Sequence, residues 1–98
     1  MINEINKNTL RIFDSRFRAM TGATIFFDND NNSLQIKFEG SRAANTLICA
    51  YDKDADLYNL IFVKLCGIEI KEVSKHEGVY FDTVLPIFEQ VTGLSTRL

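Results

Sequence analysis

The chain has 98 residues, of which 46% are hydrophobic and 24% charged, and its formal net charge is -2. This composition is typical of a globular chain with one core, and it excludes disordered, fibrous and multidomain proteins and most large enzyme folds. The slight negative charge also makes non-specific nucleic-acid binding a poor default assignment. We therefore expect residues 1–98 to form a single domain.

The start of the chain predicts a cytoplasmic protein. Met1 is not followed by a basic stretch and an apolar run, and no window reaches the roughly 20 apolar residues of a membrane span. The two cysteines, Cys49 and Cys66, form no CxxC motif, and a small secreted domain would carry more of them. We expect two buried thiols and no membrane contact.

The first predicted element is one continuous helix over residues 3–20. Its apolar residues recur mainly at intervals of three and four positions, which is the spacing of one helix face. They are Ile5, Leu10, Phe13, Phe17 and Met20. Gly22 follows and can end the helix in a left-handed conformation.

Five strands are predicted next. Each is a run of β-branched, aromatic or alternating residues between polar or glycine-containing turns. The runs cover residues 24–28, 33–39, 45–51, 57–65 and 68–73. The last two are joined by a tight reversal at Cys66 and Gly67.

A second helix is predicted after Gly78 and is closed by Gly93. Pro86 limits where it starts, because proline is tolerated only in the first turn of a helix. With Asp82 or Thr83 as the N-cap the helix is regular, whereas a start at residue 79 would kink it. The element order predicts an α+β fold, a five-stranded antiparallel meander flanked by N-terminal and C-terminal helices.

The predicted sheet carries more apolar surface than two helices can cover. Tyr58 and Phe62 lie on one face of the fourth strand and Ile61 and Val63 on the other. On the first strand, Phe26 points away from Ile25 and Phe27. The second face therefore needs cover from curling of the sheet, from the N-terminal segment, from a second copy of the chain or from a foreign partner. Tyr58, Phe62 and Phe26 are our candidate partner-binding residues.

Acidic residues concentrate in two turns that a simple meander places at the same end of the sheet. They are Asp28, Asp30, Asp52, Asp54 and Asp56. They are either ordinary turn residues, since Asp and Asn satisfy their own backbone, or a phosphate-like surface that docks into the basic groove of a nucleic-acid enzyme. The first turn also approaches a calcium-loop spacing, but Ser33 stands where the sharp bend of that loop needs glycine, so we predict no metal site.

The sequence offers little for enzyme chemistry, because His76 is its single histidine and no nucleophile, zinc or phosphate-loop motif accompanies it. We expect no cofactor. Nucleic-acid binding stays open as an alternative, because basic residues line the polar side of the first helix and the second loop. They are Lys7, Arg11, Arg16, Arg18 and Arg42. Exposed aromatic residues beside them would favour stacking of single-stranded RNA or DNA.

Three short segments resemble small, uncharacterised proteins of bacteriophages and other mobile elements. They are residues 56–58 with Phe62, residues 77–80 with Asp82, and residues 88–94 with Thr96 and Leu98. This resemblance implies a compact, non-enzymatic protein of the bacterial cytoplasm that binds a host protein or ribonucleoprotein. Some such proteins inhibit host defence systems, such as a CRISPR effector. A small RNA-binding module and a homodimeric phage accessory protein are the alternatives.

Overall fold

The computed structural model describes residues 1–96, which form an antiparallel sheet with short helices before and after it. The elements are α1 (Glu4–Leu10), α2 (Ser15–Thr21), β1 (Thr24–Asp28), β2 (Ser33–Lys37), β3 (Thr46–Asp52), β4 (Leu57–Cys66), β5 (Glu69–Val79), a 3-10 turn (Phe81–Thr83) and α3 (Val84–Thr92). Within these residues, no helix combines the length and the apolar character needed to cross a membrane.

The sheet has the order β1-β2-β3-β4-β5, and each strand is antiparallel to the next. This topology confirms the α+β meander prediction. The first four strands agree with the predicted bounds to within two residues, but β5 runs to Val79 instead of ending at residue 73. It continues because it is an edge strand, where polar residues can face solvent while the backbone still pairs with β4.

The predicted continuous helix over residues 3–20 is wrong, because the chain turns between α1 and α2. Each short helix has its own N-cap. The Asn3 side chain accepts a hydrogen bond from the backbone N–H of Asn6 (2.7 Å), and the Asp14 carboxylate accepts one from that of Phe17 (2.9 Å). Asp14 thus starts a second helix in the middle of the apolar pattern.

The turn between the helices changes which residues are buried. Phe13 and Phe17 reach the core as predicted, and Ile12 joins them, whereas Met20 is exposed. Asn6 is fully buried, and its amide donates a hydrogen bond to the backbone oxygen of Asp28 (3.1 Å). The N-terminal segment is therefore tied to the β1–β2 turn by polar contacts as well as by apolar packing.

The last helix begins where Pro86 requires. Thr83 is its N-cap, which leaves Pro86 at the third helical position, where the missing N–H is not needed. Gly93 ends the helix with φ +74°, as predicted. The Phe88 ring lies at the centre of the core, with its centroid 5.0 Å from that of Phe17 and 4.9 Å from that of Phe38.

The two cysteines lie in different surroundings. Cys49 is buried on the helix side of β3, and burial raises the pKa of its thiol to about 12. Cys66 is exposed, so the prediction of two buried thiols is wrong for this residue. It ends β4, beyond the last residue pair that links β4 to β3, in a hairpin arm that the helices do not cover.

Candidate functional site

The helices cover the sheet face that carries Tyr58 and Phe62. These side chains are 6% and 0% exposed, and the Phe62 ring lies 6.2 Å from that of Phe88 in α3. The selection of Tyr58 and Phe62 as residues of an uncovered second face is therefore wrong. Alternation along β4 shows that two faces exist, but only the position of the helices decides which one is covered.

The opposite face of the sheet is incompletely covered, and we call it the open face. It comprises the side chains of Phe26, Gln35, Lys37, Ile48, Ala50, Ile61, Leu65 and Ile70. Ile48 and Ile61 are register partners on the inner strands β3 and β4, yet both are only half-buried. Their neighbours Leu47 and Leu60, which point to the helices, are fully buried.

Part of the open face is shielded by the sheet itself. Thr46 and Val63, the next register pair along β3 and β4 on this face, are buried. Beside them lies a concavity of about 430 Å³, whose wall includes Phe26, Lys37 and Leu65. Curling therefore covers one end of the open face but leaves Ile48 and Ile61 accessible.

Phe26 lies at the β1 edge of the open face and is 49% exposed. The ammonium of Lys37 is 5.5 Å from the centroid of its ring, which is a cation–π distance. Of the three aromatic residues selected from the sequence, Phe26 alone is exposed on this face.

The five predicted aspartates lie at one end of the sheet, which we call the acidic end. The backbone N–H of Tyr51 donates to the backbone oxygen of Asn32 (3.0 Å), which joins the end of β3 to the β1–β2 turn there. Asp28, Asp30, Asp54 and Asp56 are exposed, and Asp52 is half-buried.

The two turns of the acidic end share one geometry, and this explains their aspartate spacing. Asp28 accepts hydrogen bonds from the backbone of Asp30 (3.1 Å) and Asn31 (3.3 Å), and Asp52 accepts from the residues two and three positions after it in the same way. Each turn then ends in a residue with positive φ, Asn32 (49°) or Asp56 (55°), a conformation that Asn and Asp tolerate.

Two carboxylates of the acidic end, those of Asp28 and Asp52, therefore stabilise their turns. A hydrogen bond from the Asn31 side chain is the largest cause that holds the pKa of Asp28 below its usual value. Across residues 1–96, no group of three or more His, Cys, Asp or Glu side chains is arranged to hold a metal ion.

The basic residues selected from the sequence are all exposed but do not form one continuous track. They are Lys7, Arg11, Arg16, Arg18 and Arg42. The turn between the helices separates Lys7 and Arg11 from Arg16 and Arg18. Arg42 lies in the β2–β3 loop, at the end of the sheet opposite the acidic end.

A second concavity, of about 460 Å³, lies on the helix side, and we call it the Tyr58 concavity. It is lined by Ile5, Asn8, Arg11, Tyr51, Asp56, Tyr58 and Phe81. The ring centroids of Tyr51 and Tyr58 are 5.3 Å apart, and those of Tyr58 and Phe81 are 6.2 Å apart. The Tyr51 hydroxyl donates to the Asp56 carboxylate, which raises the pKa of Tyr51.

Sequence reasoning did not find the Tyr58 concavity. It assigned Arg11 to a basic helix face, Asp56 to the acidic turns and Tyr58 to a partner surface, and the structure brings these three residues together. A signal was present, because the four-residue β3–β4 turn pairs Tyr51 with Tyr58 across the hairpin.

Comparison of the chain with protein-family models, with curated proteins and with solved structures gave no match. The resemblance to phage proteins therefore stays a prediction, and function is inferred from the geometry of these surfaces.

Proposed function

We propose that this chain is a non-enzymatic binding protein whose open face makes stoichiometric contact with a protein of the bacterial host. One observation carries the proposal. Ile48 and Ile61 lie side by side on the two inner strands, yet they are only partly buried, while Leu47 and Leu60, their neighbours on the helix side, are fully buried. Apolar side chains left accessible at the centre of a sheet are typical of a surface that a partner covers.

The arrangement of charges around Ile48 and Ile61 fits a protein partner. Gln35 is the register partner of Ile48 on β2, and Lys75 is that of Ile61 on β5. Lys37 and Glu72 flank the adjacent buried pair, Thr46 and Val63, in the same way. Protein interfaces commonly combine an apolar centre with a polar rim of this kind. Charges of both signs on the rim favour a protein over a nucleic acid, whose backbone is uniformly negative.

We further propose that the partner belongs to a host defence system, such as a CRISPR effector. Two features support this class of partner: the resemblance of the sequence to phage proteins, and the acidic end with its five carboxylates. An acidic surface complements the basic groove in which a nucleic-acid enzyme holds its substrate, and such complementarity accelerates encounter.

Affinity capture from the bacterial host with the tagged protein tests the proposal. The informative variant is Ile61→Asp on the open face, and the matched control is Ile68→Asp at the tip of the β4–β5 hairpin, where the side chain is already fully exposed. Both variants are first checked for native circular dichroism and cooperative unfolding.

We expect the wild type and Ile68→Asp to retain one host protein in equimolar amount from lysates treated with nuclease, and Ile61→Asp to lose it. The proposal is wrong if Ile61→Asp captures the same protein equally well, or if nuclease treatment removes all binding. A dimer of this chain that Ile61→Asp dissociates would instead assign the open face to a second copy, in line with a homodimeric accessory protein.

Binding of single-stranded RNA or DNA is the second candidate, and one observation favours it. Arg18 and Phe27 line a shared concavity of about 400 Å³ at the β1 edge, and the Phe27 ring is 48% exposed. A guanidinium beside an exposed ring is a common stacking platform for unpaired bases. A mobility-shift assay with a labelled oligonucleotide distinguishes the two candidates, because nucleic-acid binding weakens steeply as salt is raised.

A further inference from the structure

We propose that the Tyr58 concavity binds a guanine base. This site lies beside α1, on the side of the sheet opposite the open face, so it does not depend on the proposed function. Its volume of about 460 Å³ falls within the range of small-molecule pockets, roughly 300–1,000 Å³.

Aromatic rings give the Tyr58 concavity a surface suited to a planar ligand. Tyr58 is nearly buried and forms the floor. Tyr51 on the β3 side and Phe81 beyond the end of β5 have ring centroids 5.3 and 6.2 Å from that of Tyr58, with planes tilted by 54° and 55° to it. Phe81 is 50% exposed although it is large and apolar. A stacked heteroaromatic ring would cover this surface, and stacking of that kind is tolerant of many planar rings.

Two oppositely charged side chains, Asp56 and Arg11, discriminate among planar ligands, and they lie on different sides of Tyr58. Asp56 lies on the Tyr51 side, where it accepts the hydrogen bond of the Tyr51 hydroxyl. Arg11 lies on the Phe81 side, because Arg11 and Phe81 also line the neighbouring concavity with Asp82 and neither Tyr51 nor Asp56 does. The site thus presents an acceptor at one side and a donor at the other.

Guanine has the matching pattern. Its N1–H and N2–H₂ donors lie on one edge and its O6 and N7 acceptors on another, and arginine to O6 and N7 is the commonest specific contact to this base. The Asp56 carboxylate has lone pairs left after it accepts from Tyr51, so it can also accept from N1–H and N2–H₂. Asn8 adds an amide to the rim.

Other planar ligands fit the two charges less well. Adenine presents an acceptor, N1, at the edge where guanine presents N1–H, so the Asp56 carboxylate would face a lone pair. An anion without a donor edge gains from Arg11 but is repelled by Asp56. A neutral ring with separated donor and acceptor edges satisfies both residues.

The test is a titration of the ¹⁵N-labelled full chain with guanosine 5′-monophosphate, followed by amide chemical shifts. We expect saturable shifts at Asn8, Arg11, Tyr51, Asp56 and Phe81. Adenosine 5′-monophosphate should bind about tenfold more weakly, and inosine 5′-monophosphate, which lacks the N2 amino group, should lie between them. Inorganic phosphate alone should not shift these residues.

Three variants test the named contacts. Phe81→Ala removes the exposed ring, Arg11→Gln removes the guanidinium, and Asp56→Asn removes the carboxylate at a position where Asn also tolerates positive φ. Each should weaken binding of guanosine monophosphate about tenfold. Asp56→Asn should in addition remove the preference for guanosine over inosine monophosphate. Tyr80→Ala, which removes an exposed ring that does not line the Tyr58 concavity, should leave binding unchanged.

The source of the base is decided by a second ligand, a six-nucleotide uridine RNA with one central guanosine. If the monophosphate binds as tightly as the RNA, the ligand is a free nucleotide; if the RNA binds more tightly and the preference needs its guanosine, the ligand is an unstacked base in a single strand. The proposal is overturned if neither ligand shifts the five residues at millimolar concentration, if adenosine monophosphate binds equally well, or if Tyr80→Ala weakens binding as much as Phe81→Ala.

Discussion

The two faces of the sheet have similar apolar side chains but different surroundings. On the covered face, Leu47, Leu60 and Phe62 are fully buried against α2, α3 and each other. On the open face, Ile48 and Ile61 occupy the same inner strands and are only partly buried. Apolar alternation therefore determines the number of faces that need cover, whereas the placement of the helices determines which face receives it.

The largest expected difference is in the reactivity of the two thiols, one on the covered face and one in the exposed β4–β5 hairpin. Cys49 lies on the covered face with its pKa raised to about 12, so its thiolate fraction near neutral pH falls about a thousandfold below that of an ordinary thiol. Titration of the native protein with Ellman's reagent should modify Cys66 alone, and both cysteines should react in denaturant. Equal rates for both thiols in the native protein would contradict the burial of Cys49.

Truncation on the two faces should differ strongly in its effect on stability. Phe62→Ala removes a fully buried ring and should lower the free energy of unfolding by about 3–5 kcal/mol. Ile61→Ala, at its neighbour on the open face, should cost about 1–2 kcal/mol, because this side chain is already partly hydrated in the folded state. Urea denaturation measures both values, and similar losses would mean that the open face is covered after all.

The turn between α1 and α2 positions the two helices over the covered face, and the N-cap of α2 can be tested by mutation. Asp14→Ala removes the carboxylate that accepts the Phe17 N–H and should lower the free energy of unfolding by about 1 kcal/mol. Asp54→Ala, an exposed aspartate of the acidic end, should change it by less than about 0.5 kcal/mol. If the two variants are equally stable in urea, Asp14 does not start a second helix.

The smallest effect is a pH dependence at the acidic end. The folded pKa of Asp28 lies below its usual value of 3.8, so its ionised form stabilises the fold above that value, and this contribution is lost as pH falls through the folded pKa. Asp28→Asn can keep an acceptor for the turn but does not titrate. Its melting temperature should therefore fall less between neutral pH and about pH 2 than that of the wild type, and parallel curves would contradict this role.

Local patterns predicted much of the fold. The meander, the left-handed glycines Gly22 and Gly93 and the Thr83 start of the last helix follow from strand alternation, turn residues and the limits on Pro86. The helix break was missed because Asp14 lies within a convincing apolar period, although aspartate is also one of the preferred N-cap residues.

The sites were harder to predict, because they depend on contacts between distant segments. Alternation in β4 could not show that Tyr58 faces α1 while Ile61 faces outward. The Tyr58 concavity joins Arg11, Asp56 and Phe81, which are far apart in the chain and belong to unrelated sequence patterns. Such a site appears only when the packing of α1 against the β3–β4 hairpin is known.

The most direct test of an uncovered sheet face is the solvent exposure of individual isoleucine methyl groups. In dilute protein labelled at the isoleucine δ1 methyls, a soluble paramagnetic agent should broaden the signals of Ile48 and Ile61 clearly more than that of Ile36, which is fully buried beneath the helices. Fully exposed Ile68 gives the upper limit of broadening. If Ile48 and Ile61 are instead as protected as Ile36 at every protein concentration, the chain covers both faces and no docking face exists.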